Sequence, residues 1–76
     1  MIMDFNEFKT KFVDQLEIEN IASLNQNTLF RELEEWSSLS ILELIVLYDE
    51  EFEKQIGDAD IAKCQTIADL YNLAIG

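Results

Sequence analysis

Three serines within four residues, Ser37, Ser38 and Ser40 in the stretch WSSLSILELI, are the chain's most chemically suggestive feature. A serine hydroxyl acts as an activated nucleophile, as the acceptor of a covalent group, or as a helix cap. Activation has little support here. The chain has no histidine, and Lys9, Lys11, Lys54 and Lys63 stand in no motif that marks one as a base. Glu34 and Glu35 are sequence neighbours, which reads as a solvated acidic loop rather than an acid/base pair. Asp58-Ala59-Asp60 lacks the further ligands of a calcium loop, and no glycine-rich phosphate cradle is present. Cys64 is the single cysteine, so no intramolecular disulfide can form, and with no histidine a zinc site of the usual kind is not expected. The expected role of Cys64 is that of a small buried hydrophobe. No catalytic residue and no metal ligand emerges, and the chain is not expected to be an enzyme.

The serines' structural roles compete. Ser40-Ile41-Leu42-Glu43 matches the S-x-x-E capping box, in which the Ser40 hydroxyl accepts from the Glu43 amide and Glu43 reaches back. By that rule the helix starts at Ser40. Ser37 and Ser38 are alternative caps, since either hydroxyl can accept from an amide two or three residues on. Only one residue can be the N-cap, and a surface loop is the plain account of the others. Trp36, just ahead, is expected to pack inward as a staple or loop anchor rather than to stack on a ligand.

The elements around these serines read as helical. Seventy-six residues are expected to form a single domain over 1–76, small enough that packing must supply the stability. Hydrophobic residues make up 49%, eight residues are aromatic, there is no proline, and the only glycines are Gly57 and Gly76. So few turn residues favour helices over strands. Phe5, Phe8, Phe12, Val13 and Leu16 recur at helical spacing between Asp4, the expected cap, and about Glu17. Residues 19–33 read as a long loop anchored by Leu24, Leu29, Phe30 and Leu33, with a short helix around Thr28 to Glu32. A second helix is expected from about Ser38 to Lys54. Leu39, Leu42, Ile45, Val46, Tyr48 or Asp49, and Phe52 follow its repeat, and Ile41, Leu44 and Leu47 widen its apolar arc. Lys54 is placed to complement its dipole and Gly57 to stop it. Asp58 to Ala62 suits one helical turn. Thr66 and Asp69 form a capping box for a last helix whose inner face is Ile67, Leu70, Tyr71 and Ala74. The expected fold is all-α, a small four-helix bundle of three main helices and a short third.

Charge narrows the partners. Sixteen acidic and five basic side chains leave a formal net charge of −11. Nucleic acid and anionic membrane surfaces would be repelled, whereas proteins carrying basic patches would be attracted. Neither a signal peptide nor a bilayer-spanning stretch is evident, and a cytoplasmic monomer is expected.

Leu33, a short acidic loop, then Ser37-Ser38-Leu39-Ser40-Ile41-Leu42-Glu43-Leu44, then Asp49-Glu50-Glu51-Phe52, resembles the acyl carrier protein family. In that family an Asp-Ser-Leu triplet opens the second helix, a Glu follows five residues after the serine, and acids then an aromatic end it. Ser38 falls at the serine position, Glu43 at the Glu and Phe52 at the aromatic. The segment from Ile56 through Lys63-Cys64-Gln65-Thr66-Ile67 resembles the family's short third helix and the Thr that opens the fourth. This chain departs in having Ser37 for the aspartate, Ser40 for a frequent acid two residues on, and a longer loop that includes Trp36. The resemblance implies a carrier. Ser38 would be esterified by 4′-phosphopantetheine from coenzyme A, and the arm's thiol would carry acyl groups as thioesters for fatty acid, lipid or polyketide-type biosynthesis. Ser37 would replace the aspartate as cap. A helix N-terminus suits such a phosphodiester, because its amides and dipole favour an anion. Implied partners are a phosphopantetheinyl transferase and acyl-activating, acyltransferase or ketosynthase enzymes with basic patches. Ser37, Leu39, Glu43, Asp49 and Glu50 would form the docking face. The other reading is an unmodified adaptor with the carrier fold that only docks a partner through its acidic second helix.

Overall fold

The computed structural model describes residues 3–19, 22 and 24–76, whose regular elements are helical apart from one isolated bridge between Leu29 and Thr66. Among the described residues the α-helices are α1 (Phe5–Leu16), α2 (Ser40–Phe52), α3 (Asp58–Ala62) and α4 (Ile67–Ile75), with a 3-10 turn at Phe30–Glu32. The bundle architecture expected from the sequence is therefore present. Residues 20, 21 and 23 of the expected loop lie outside the described residues.

α1 starts where Asp4 accepts from the Glu7 amide at 2.8 Å. It ends at Glu17, whose left-handed backbone (φ 55°) lets the amides of Glu17 and Ile18 donate back to Asp14 and Val13. Phe8, Phe12 and Leu16 form its buried face, as their spacing predicted. α1 packs on α2 and α4, where Phe8 stacks on Phe12 and meets Tyr48, Phe52 and Tyr71.

The segment between α1 and α2 is held down by its apolar anchors. Leu24 and Phe30 are buried and Leu33 is half-buried, while Leu29 stays exposed, contrary to its expected anchoring role. The short helix expected at 28–32 is a 3-10 turn two residues later. The carbonyls of Gln26 and Thr28 accept from the first amides of α4, Ala68 and Ile67, each at 3.0 Å. Arg31 donates to the carbonyls of Ile61 and Cys64, at 2.8 and 2.6 Å, while its guanidinium lies 4.6 Å from the centre of the Phe30 ring. One side chain thereby ties the segment to the C-terminal end of α3.

α3 begins after Gly57, whose amide donates to Asp60 at 3.0 Å. α4 begins with the expected capping box: Thr66 accepts from the Asp69 amide at 3.2 Å and Asp69 accepts from the Thr66 amide at 3.1 Å. Ile67, Leu70 and Ala74 are buried on its inner face, with Tyr71 half-buried beside them. Cys64 is buried as expected, and burial pushes its thiol above the ordinary value.

α2 departs from expectation in three ways. It spans 40–52 rather than 38–54, because residues 37–39 form a preceding turn. It stops not at Gly57 but at Glu53, in the left-handed region (φ 54°), where the amides of Glu53 and Lys54 both donate to the Tyr48 carbonyl. Lys54 therefore lies beyond the helix, whose last turn carries no base. Finally, its inward residues are Ser40, Leu44, Leu47 and Tyr48, whereas Leu39, Leu42 and Val46 are 62%, 58% and 44% exposed. From Ile41 to Tyr48 every residue but Glu43 is apolar, so periodicity over that stretch has too little polar face to fix the rotation.

Candidate functional site

The three serines divide sharply once the turn before α2 is resolved into hydrogen bonds. Ser40 is 2% exposed, and its hydroxyl accepts from the Ser37 amide at 2.9 Å. The Ser37 hydroxyl accepts from the Leu39 amide at 3.3 Å, and the Ser37 carbonyl from the Ser40 amide at 3.0 Å. This is a reciprocal cap of the turn that leads into α2, with Ser37 as the outer partner and Ser40 reaching back in the place a glutamate usually takes, while Leu39, at the N-cap of the helix itself, has no side-chain bond to offer. The expected Ser40–Glu43 box does not form, since the Glu43 amide donates to the Leu39 carbonyl at 3.1 Å instead. The longer reach of a glutamate is not needed, because the tight turn at 37–40 already brings the Ser40 hydroxyl onto the Ser37 amide.

Ser38 stands between these two and joins neither bond. It is exposed, and among the described residues its hydroxyl has no hydrogen-bond partner. α2 begins two residues on, and Glu43 is the first of its residues whose amide has an i−4 carbonyl partner among the described residues. The first-turn amides of Ile41 and Leu42 thus remain as the positive end of the helix dipole. An exposed hydroxyl next to such a helix end fits a covalently attached phosphate: it has free space outward and unpaired donors close by.

Trp36 packs as expected, half-buried with its ring edge-on to Phe30 at 4.9 Å. The Trp36 amide donates to the Leu33 carbonyl at 3.1 Å, so the chain turns tightly before the serines. Behind α2, Gln15 of α1 donates to the Glu43 carbonyl at 3.3 Å, and Lys11 pairs with Glu51 at 2.7 Å. These contacts accompany the burial of Leu44, Leu47 and Tyr48, which sets the rotation of α2 and therefore what it presents outward.

The residues expected to dock partners are spread along that outward surface. Ser37 and Leu39 are exposed beside Ser38, Glu43 is half-buried one turn on, and Asp49 and Glu50 are exposed near the far end. At 1.5 Å per residue, Ser38 and Glu50 lie about 18 Å apart along the helix. At 3.6 residues per turn they are also about 120° apart around the axis, so they do not meet at one point. Glu50 also borders a groove between α1 and α2 of about 380 Å³, lined by Thr10, Lys11, Asp14 and Glu51. Sequence reasoning missed Leu42 and Val46 as surface residues. With Leu39 they make an exposed apolar stripe at helical spacing, and only the fixed rotation of α2 reveals it.

No helix among the described residues is long and apolar enough to cross a membrane. Comparison with known protein families matches residues 6–74 to the family model described as the phosphopantetheine attachment site. The match runs from the first turn of α1 to the last turn of α4, so the chain belongs to the phosphopantetheine-binding family of acyl-carrier-type domains.

Proposed function

We propose that Ser38 is the residue to which phosphopantetheine is attached, and that residues 1–76 form one carrier domain serving a fatty acid, lipid or polyketide-type pathway in the cytoplasm. The observation that carries the assignment is the division of labour among the serines. Ser37 and Ser40 are engaged in the cap, while Ser38 offers an exposed hydroxyl with no partner among the described residues.

The chain's residues have limited and well-defined tasks. Ser38 Oγ forms a new bond to the phosphorus of coenzyme A's pantetheine phosphate, and the nucleotide half of coenzyme A leaves. The serine proton goes to a base on the transferase, since this chain has no histidine. The first-turn amides of α2 then favour the phosphodiester anion. When bound, the arm supplies a thiol that holds acyl groups as thioesters. Domains of this family do not catalyse the acyl chemistry themselves, so reaction steps belong to partners. A phosphopantetheinyl transferase and acyl-activating, acyltransferase or ketosynthase enzymes with basic patches fit the acidic surface. Leu39, Leu42 and Val46 would form the apolar contact, with Ser37, Glu43, Asp49 and Glu50 around it.

The test is incubation with a phosphopantetheinyl transferase of broad specificity and coenzyme A, read by intact mass. One arm is expected on the wild type and on Ser37→Ala, and none on Ser38→Ala. A Ser38→Ala protein that still gains the arm, or a wild type that never does, overturns the assignment. In the second case the adaptor reading gains, and partner binding unchanged by Ser38→Ala would support it.

A further inference from the structure

The interior behind α2 is closed by aromatic rings. Tyr48 is fully buried, and its hydroxyl donates to the Leu70 carbonyl of α4 at 2.5 Å. Its ring stands edge-on to Phe52 at 5.1 Å and to Phe8 at 6.3 Å. Toward the Ser38 end, Phe30 is also fully buried and carries the half-buried Trp36 edge-on.

We propose that Tyr48 sets the cargo of this carrier: by bridging α2 to α4 it keeps the core shut, so acyl groups stay outside and the chain takes short or polar ones. This rests on the reading that the arm is carried by Ser38. An alkyl chain lodging among these rings must move the Tyr48 side chain and break the Tyr48–Leu70 bond where no water replaces it. It must also displace rings from a close-packed interior that yields little to added volume. Outside, each added methylene remains in water and gains nothing. A short acyl group, or one bearing a hydroxyl or amine, loses little by remaining there.

The test compares acetyl and octanoyl arms on otherwise identical protein, loaded by the transferase from the matching coenzyme A thioesters. Where enzymatic loading fails, Ser38→Cys alkylated with N-ethyl or N-octyl maleimide delivers the same contrast, Cys64 being buried. Enzymatic loading itself reports on the Ser38 assignment, so the two ideas fail separately. The expected result is a melting temperature equal within about 1 °C for the two chain lengths. The amide resonances of Leu44, Ile61 and Leu70 should also be unchanged. In Tyr48→Leu, and in Tyr48→Ala if it folds, the octanoyl chain should raise the melting temperature above that of the short chain by about 4 °C or more. An octanoyl chain that stabilises the wild type by that amount, or that shifts its core resonances, overturns the proposal. So does a Tyr48→Leu protein indifferent to chain length.

Discussion

Replacing Ser40 by Ala tests whether the cap before α2 is the one described. The Ser40 hydroxyl is nearly inaccessible and accepts from the Ser37 amide at 2.9 Å. Losing a neutral hydrogen bond costs about 1 kcal/mol, and more where the stranded donor stays dry. Ser37 is exposed, so water recovers part of that loss. Alanine also has the better helix propensity, by up to about 0.5 kcal/mol. The two adjustments oppose any excess over the simple bond value, leaving a net loss of about 1 kcal/mol, in line with measured caps. For a domain of this size that lowers the melting temperature by about 4–8 °C. Glu43→Ala is the control, because no hydrogen bond engages its carboxylate in capping among the described residues. Loss of its favourable position near the helix start is offset by the propensity of alanine, and the net change should stay within about 0.5 kcal/mol. Thermal and urea melts followed by far-ultraviolet circular dichroism would measure both. If Glu43→Ala is as costly as Ser40→Ala, the Ser40–Glu43 box is real and the cap described here is wrong.

Two further perturbations probe α4 and the outer face of α2. The amides of Gln65 and Thr66 donate to Asp69 and hold its carboxyl below the ordinary carboxylate range. A carboxyl depressed in the folded state adds stability above its unfolded value, and that stability is lost as pH falls through the folded one. Asp69→Asn should therefore melt below the wild type at pH 7, with the gap shrinking through the acid range; a gap independent of pH contradicts this. Leu42→Ala, at a 58% exposed position, should leave stability within about 0.5 kcal/mol of wild type. It should lower kcat/KM for transfer of the arm about tenfold, equivalent to about 1.4 kcal/mol of lost contact. An unchanged kcat/KM would remove the apolar stripe from the docking surface.

How much could be read in advance depended on whether a signal was local. Asp4 and the Thr66–Asp69 box are caps closed by residues three apart, and both formed as read. α1 alternates aromatic and polar residues, so its buried face followed from spacing alone. The start of α2 offered three serines with nearly equal local merit, and tertiary burial of Ser40 decided among them. Its rotation was equally hidden: the burial of Leu44, Leu47 and Tyr48 against distant partners sets it, and those partners are not written in the sequence of α2 itself. The stop at Glu53 carries no sequence signal, because glutamate has no special tolerance for a left-handed backbone. Ser38 was picked out by resemblance rather than by capping rules, which left it among the spare hydroxyls.

The electrostatic layout of α2 makes sense only when the helix is considered as a surface for partners. Helix stability favours acids in the first turn and bases in the last. Here Glu43 is the one acid in the first turn and the turn before α2 is capped by neutral serines, while Asp49, Glu50 and Glu51 crowd the end with no base among them. Lys11 of α1 offsets Glu51 alone. The result is a positive amide end beside Ser38 and a strongly negative end about 18 Å away. Between them run Leu39, Leu42 and Val46, which the full inner face has no room to bury. An arrangement that is mildly unfavourable for the isolated helix acquires a purpose if the acids steer a basic patch over a Debye length of about 8–10 Å. Salt-sensitive attraction at one end and short-range apolar contact in the middle would then leave the Ser38 end free for the arm. Folding alone gives no reason to keep either the acids at the wrong end or the leucines in water; docking on this face gives a reason for both.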